Sequence, residues 1–344
     1  MKKRECQQFI PCANFYIFQI GDGDMISSQI DTSIGQKEFE LIEDQDHMEE
    51  VWTVMQPRLE QYANEYLEGV SHYKDLRTPG DSFSAFLNEM IRKNDKLHDK
   101  YFEIFDMNLM EEEYPEDTEG FKAVTLKKEC DVIRKSLQSR SEALGDWKKK
   151  FYGCKSQQLY DTFYNMMSFA LEYNEEMTEE ELSEVDTIDD TGLAQMSEDA
   201  CYQSGVLGFG IVSNILNHMY PRVFPGNYKA GVYSLHFLTN TGRGVNMPSD
   251  SSEFLMVKDD FYSKTGIIET EHNYYCPYET FGLYTLRIYR YLESKIETRF
   301  HKEFPTEYRY LLTNDFYDYV TSVHRADIAT LCGNDDMLKF NTIW

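Results

Sequence analysis

The segment ETFGLYTLRIYRYLESKIETRF, residues 279–300, decides the fold class. Phe281, Tyr284, Ile288, Tyr291, Leu292 and Ile296 fall along one side with the period of an α-helix, and no proline interrupts them. Working outward, the same period predicts a helix over Thr306–Val323. Upstream it predicts helices over Met48–Val70, Ser82–Phe105, Phe121–Tyr152, Gln157–Tyr173, Gly210–Tyr220 and Asn227–Leu238. Asp46 and Asp81 are placed to cap the first two, and Pro57, which lacks an amide donor, kinks or splits the first. Glu111–Glu119, with Pro115, reads as a loop. Only Phe254–Val257 and Gly266–Glu271 read as strands, forming a small hairpin. The expected architecture is mainly α: a helical bundle and a second helical domain carrying a small β hairpin. No repeat of solenoid period is present.

Composition narrows the function classes. The 344 residues are 41% hydrophobic and 15% aromatic, enough apolar material for a core, which excludes wholesale disorder. Sixty acidic residues against 34 basic ones give a net charge of −26, so a uniformly nucleic-acid-coated surface is excluded. The basic start Met1-Lys2-Lys3-Arg4 is followed by an apolar stretch broken at Pro11, Asn14 and Gln19, a poor signal peptide, and no window reaches membrane-spanning length. Seven dispersed cysteines without a Cys-x-x-Cys pair suggest reduced thiols, a cytoplasmic setting and no zinc site; no cofactor is expected.

Charge is distributed unevenly. Between Glu172 and Asp199 lie twelve carboxylates and no Lys or Arg, read as an acidic linker (172–199) between an N-terminal helical domain (1–171) and a C-terminal one (200–344). Thr178 and Glu181 have the spacing of a capping box. From Cys201 to Ser249 there is no Asp or Glu at all, while Arg222, Lys229 and Arg243 are present. A second stretch, Lys122–Lys155, carries ten cations against four carboxylates. Two readings stand open: a surface for a polyanion, or a solvated helix face beside a buried core segment.

Gly205-Val206-Leu207-Gly208-Phe209-Gly210 places glycines at the start of an apolar helix, where backbone amides can face an anion at the positive end of the helix dipole. An ordinary helix start explains the same glycines. The order Gly-x-x-Gly-x-Gly, with no strand before it, does not fit a dinucleotide fold. Leu207-Gly208-Phe209-Gly210, the apolar helix to Met219 and the turn Tyr220-Pro221-Arg222-Val223-Phe224-Pro225 resemble the helix-hairpin-helix module of DNA glycosylases and related DNA-binding domains, over Ser204–Thr241. The resemblance implies that Gly208, Phe209 and Gly210 grip a DNA phosphate, with Arg222, Tyr228, Lys229 and Arg243 as further contacts. It also implies a catalytic role at the position after Phe224-Pro225. The residue there is Asn227, not the family's Asp, and the usual hairpin Lys is missing, with Lys229 nearby. Tyr220, Phe224 and Tyr228 would be the rings for a flipped base.

Glu269 and Glu271 alternate on a strand with His272 opposite, and Asp259 or Asp260 could add an oxygen for a divalent cation; a capping turn accounts for them equally. His218 and His236, on apolar helices, read as satisfied core histidines. The tyrosine- and arginine-rich C-terminal region, with Arg287, Arg290 and Arg299, combines stacking rings with guanidinium groups as a nucleic-acid surface would, and a helix-bundle core with hydroxyls at its rim is the favoured reading of the same pattern. The sequence therefore supports a DNA-engaging protein, with glycosylase-like base recognition or excision in prokaryotic genome or phage defence as its most specific form. Two alternatives compete: an acidic, non-enzymatic protein that mimics DNA or binds a basic protein partner, and a metal-dependent nuclease using Glu269, Glu271 and His272.

Overall fold

The computed structural model describes residues 32–141, 144–239, 245, 247, 252–257 and 270–332. In chain order the helices are α1 (Thr32–Ile42), α2 (Gln45–Ser71), α3 (Pro79–Ile104), α4 (Thr118–Gly120), α5 (Asp131–Gln138), α6 (Gly145–Gly153) and α7 (Ser156–Glu176). There follow α8 (Glu179–Glu184), α9 (Gln195–Glu198), α10 (Phe209–Met219), α11 (Tyr228–Thr239), α12 (Tyr278–Phe300), α13 (Arg309–Val323) and α14 (Arg325–Cys332). Strands β1 (Leu255–Val257) and β2 (Thr270–His272) pair antiparallel, with Leu255 opposite His272. The protein is mainly α, and none of its described helices is long and apolar enough to cross a membrane.

Local signals explain the helix ends. The α2 cap is Asp44, whose carboxylate accepts from His47 N–H, while Asp46 lies within the first turn. Thr78 accepts from Asp81 N–H and caps α3, with Pro79 in the first turn, where its missing donor costs nothing. Pro57 lies inside α2 without ending it, because Met48, Val51, Met55, Leu59, Tyr62 and Tyr66 hold both flanks in the core.

The predicted helix over 121–152 is instead broken. Phe121–Glu129 is π-helical, Cys130 and Ser139 turn extended, and α5 and α6 follow separately. The inward residues Phe121, Leu126, Cys130 and Ile133 are spaced by five, four and three, and the wider π turn keeps the first pair on one side. Part of the predicted 111–119 loop is likewise helical, in a π turn over Leu109–Glu113 and in α4. The β element pairs as expected, although residues 266–269 lie outside the described residues.

One hydrophobic cluster runs from Met48 to Val320, with α11 at its centre against α2, α12 and α13, and α10 against α3. Gly231 permits the closest approach: a Cβ there would lie 2.4 Å from Phe281 Cε2 and 3.0 Å from Tyr317 Cε2. His218 and His236 are held in this interior, by Asn94 (2.6 Å) and Ser252 (3.3 Å), and burial pushes each down to about 4.

The acidic segment is not a free linker but a packed strap. Leu182, Val185, Ile188, Leu193 and Met196 are buried, and the capping box closes at Thr178 and Glu181. Four arginines of the C-terminal half hold it. Arg222 donates to the Asn174 and Met177 carbonyls (2.5 and 2.6 Å), and Arg290 to Leu182 O (2.7 Å). Arg287 reaches Asp186 O (2.8 Å) as well as Glu49, and Arg309 reaches Glu179 (2.5 Å). The run of carboxylates is thus partly neutralised within the fold. Arg309 is only 5% exposed, so Glu179→Gln strips its carboxylate partner; an expected loss of about 1–3 kcal/mol is checked by thermal unfolding.

Candidate nucleic-acid interface

The glycine segment forms a tight hairpin. Gln203 and Leu207 exchange backbone hydrogen bonds (2.9 and 2.8 Å), and Gly205 turns between them at φ +73°, in the left-handed region that favours glycine. Gly208 then starts α10 with no side-chain cap, and both Gly208 and Gly210 are exposed, with nothing within 4 Å of a Cβ added to either. The helix start is therefore open to solvent at its two glycines, at the positive end of the dipole. The preceding helix, α9, has only four residues, so the long first helix of a helix-hairpin-helix module is not found before this turn.

Lys150 of the basic stretch borders the hairpin. Trp147 and Phe151, one helical turn apart, point α6 toward the core, and Trp147 Nε1 donates to Val206 O at 2.8 Å. On one flank of α6, Lys150 lies against Gly205: a Cβ there would be 3.1 Å from Lys150 Nζ. On the other flank is Tyr152, with Lys127 Nζ 5.3 Å from its ring centroid. Lys122 Nζ ties the π-helical segment to the end of α6 through Tyr152 O (3.0 Å) and Cys154 O. Cys154 Sγ reaches Gln203 Oε1 at 3.4 Å, closing the link to the hairpin. Residues 122–155 and the start of the acid-free segment are thus neighbours in space.

Other cations of the stretch are engaged locally. Burial alone would raise the Asp131 carboxyl, but hydrogen bonds from Lys100 (2.6 Å) and Arg134 (2.7 Å) outweigh it and hold it below its usual value. Lys149 does the same for Asp146 at 2.9 Å.

Several predicted contacts lie elsewhere. Phe209 stacks on Tyr278 (centroids 4.7 Å) and cannot act as a wedge from that position. Tyr228 is buried with its hydroxyl on Cys276 O, and Phe224 is buried too, so neither offers a face to a base. Arg222 is absorbed by the strap. Lys229 is half-buried in the first turn of α11. Arg243, Glu269, Asp259 and Asp260 lie outside the described residues. Glu271 and His272 do fall in β2, where His272 N–H donates to Tyr233 Oη at 3.2 Å. Among the described residues no three His, Cys, Asp or Glu side chains are gathered to hold a metal ion.

Asn227, at the position of the family's catalytic Asp, has left-handed backbone (φ +51°) and donates Nδ2–H to Asp318 Oδ1 at 2.8 Å. Asp318 follows Asp315 by one turn of α13, and Asp315 accepts from Tyr66 Oη at 3.1 Å. Burial first, then Asp318, pushes Asp315 up to about 7 against the opposing pull of Tyr66 and Lys93. Burial likewise raises Asp318 to about 6, with Asn227 and Lys93 pulling the other way. Sequence reasoning missed this pair. Its one signal was two acids three residues apart in a helix rich in aromatic and apolar residues.

Compared with known proteins, the chain matches no family model, no curated protein and no solved structure.

Proposed function

We propose that the protein engages nucleic acid through the face built by α6, the π-helical segment and the hairpin before α10. The observation that carries this reading is the meeting of Lys150 with Gly205, which joins the basic stretch to an uncapped, solvent-facing helix start. Ammonium groups supply charge to phosphates, and the α10 amides can receive one phosphate oxygen. The reading stops at binding. Asn227 is committed to Asp318, and no excision step is routed through it.

Binding of short labelled DNA is expected at low salt, with log K falling linearly against log salt because each phosphate contact releases a counterion. The variant Gly210→Glu places a negative charge in open space and is expected to fold normally while weakening binding about tenfold. Combining Lys127→Glu and Lys150→Glu should weaken it further. Absence of affinity at low salt, or affinity indifferent to both changes, overturns the reading.

A further inference from the structure

We infer that the polymer taken by this face is single-stranded, with an unpaired base stacked on Tyr152. The inference rests on the nucleic-acid reading above and deepens it. Tyr152 follows Phe151 by one residue, about 100° round the helix, so burying Phe151 turns Tyr152 outward. Tyr152 is 54% exposed, with Lys127 Nζ over one face of its ring and Val124 of the π-helical segment also exposed. Every base has a π-face, so an exposed ring beside an ammonium group binds unpaired bases without sequence preference. A duplex keeps those faces inside its own stack and has none to give.

Shape points the same way. Lys150 and Tyr152 are two residues apart, on opposite flanks of α6, and Lys149 between them is already paired with Asp146. A duplex is stiff over about 150 base pairs and meets only the crest of a helix about 10 Å wide. A flexible strand can drape across it, with phosphates at Lys150 and the α10 amides on one flank and a base on Tyr152 on the other. The cations beside Tyr152 and Gly205 are lysines, point charges suited to phosphate, whereas the planar guanidinium forks of Arg222, Arg287, Arg290 and Arg309, of the kind that reads base edges, are committed to the strap.

The test is fluorescence anisotropy with the full chain, using a labelled mixed-sequence single-stranded DNA 16-mer and the matching duplex at low salt. The single strand is expected to bind at least tenfold tighter. Tyr152→Ala should weaken single-strand binding by about 5- to 100-fold and leave duplex binding within twofold, whereas Tyr152→Phe should bind like the parent. Equal or tighter duplex binding overturns the inference, as does a Tyr152→Ala effect that is absent or equal on both substrates. Failure of the underlying reading looks different: neither DNA binds at low salt, or combined Lys127→Glu and Lys150→Glu changes neither affinity.

Discussion

Asp315→Asn raises the stability of the fold at pH 8 and leaves it nearly unchanged near pH 4. The carboxyl ordinarily titrates at 3.8, but within the fold burial and the neighbouring Asp318 push it up to about 7. A folded value above the unfolded one means that the folded state holds its proton more tightly. The cost is therefore absent below the unfolded value, grows as pH rises from about 4 to about 7, and is complete above that. A rise of about three units corresponds to about 4 kcal/mol as an upper bound, so a gain on the order of 2–4 kcal/mol is expected at pH 8. Asparagine retains an oxygen to accept from Tyr66 and removes the charge. The groups facing this carboxyl are Tyr66 on α2, Lys93 on α3 and Asp318 on its own helix. Chemical denaturation of parent and variant at pH 5 and pH 8 is the check. A parent whose stability does not fall between those values, or a variant no more stable than the parent at pH 8, would show that the carboxylate is adequately solvated where it stands.

Gly231→Val is expected to cost about 3 kcal/mol or more. The glycine is the fourth residue of α11, where helix propensity alone would favour any other residue but proline. It is retained by packing. The position for a Cβ is 2.4 Å from Phe281 and 3.0 Å from Tyr317, and both rings are fully enclosed, so neither can swing away cheaply. Two further methyl groups force α11 off α12 and α13 together. The measurement is thermal or urea unfolding, with Gly231→Ala expected between parent and valine variant. A valine variant as stable as the parent would mean that these helices are not packed as closely as described.

The helices were legible in the sequence wherever one apolar side faced one core, as in α2, α3 and α12. Legibility failed between Phe121 and Tyr152, where the apolar residues are spaced by five as well as by three and four, a mixture that a single period cannot describe. The absence of acids from residue 201 to 249 turned out to combine two causes. Tyr228–Thr239 lacks them because it is almost wholly buried, whereas the hairpin before Phe209 is open to solvent. The lysine-rich stretch was visible in the sequence, but not the contact of Lys150 with Gly205, a pairing across 55 positions that periodicity cannot carry. Arg222 misled for the opposite reason. A cation in an acid-free segment looks available, yet the partners of Arg222 stand on the acidic segment before it.

The four arginines that clasp the strap differ in headgroup from the two cations beside Tyr152 and Gly205. Arg222, Arg287, Arg290 and Arg309 serve as internal rivets, their flat heads fastened to backbone oxygens and carboxylates. The ammonium groups of Lys127 and Lys150 sit on the two flanks of α6 instead. Acetylation confined to Lys127 and Lys150 would therefore disarm the contact surface without touching these four rivets.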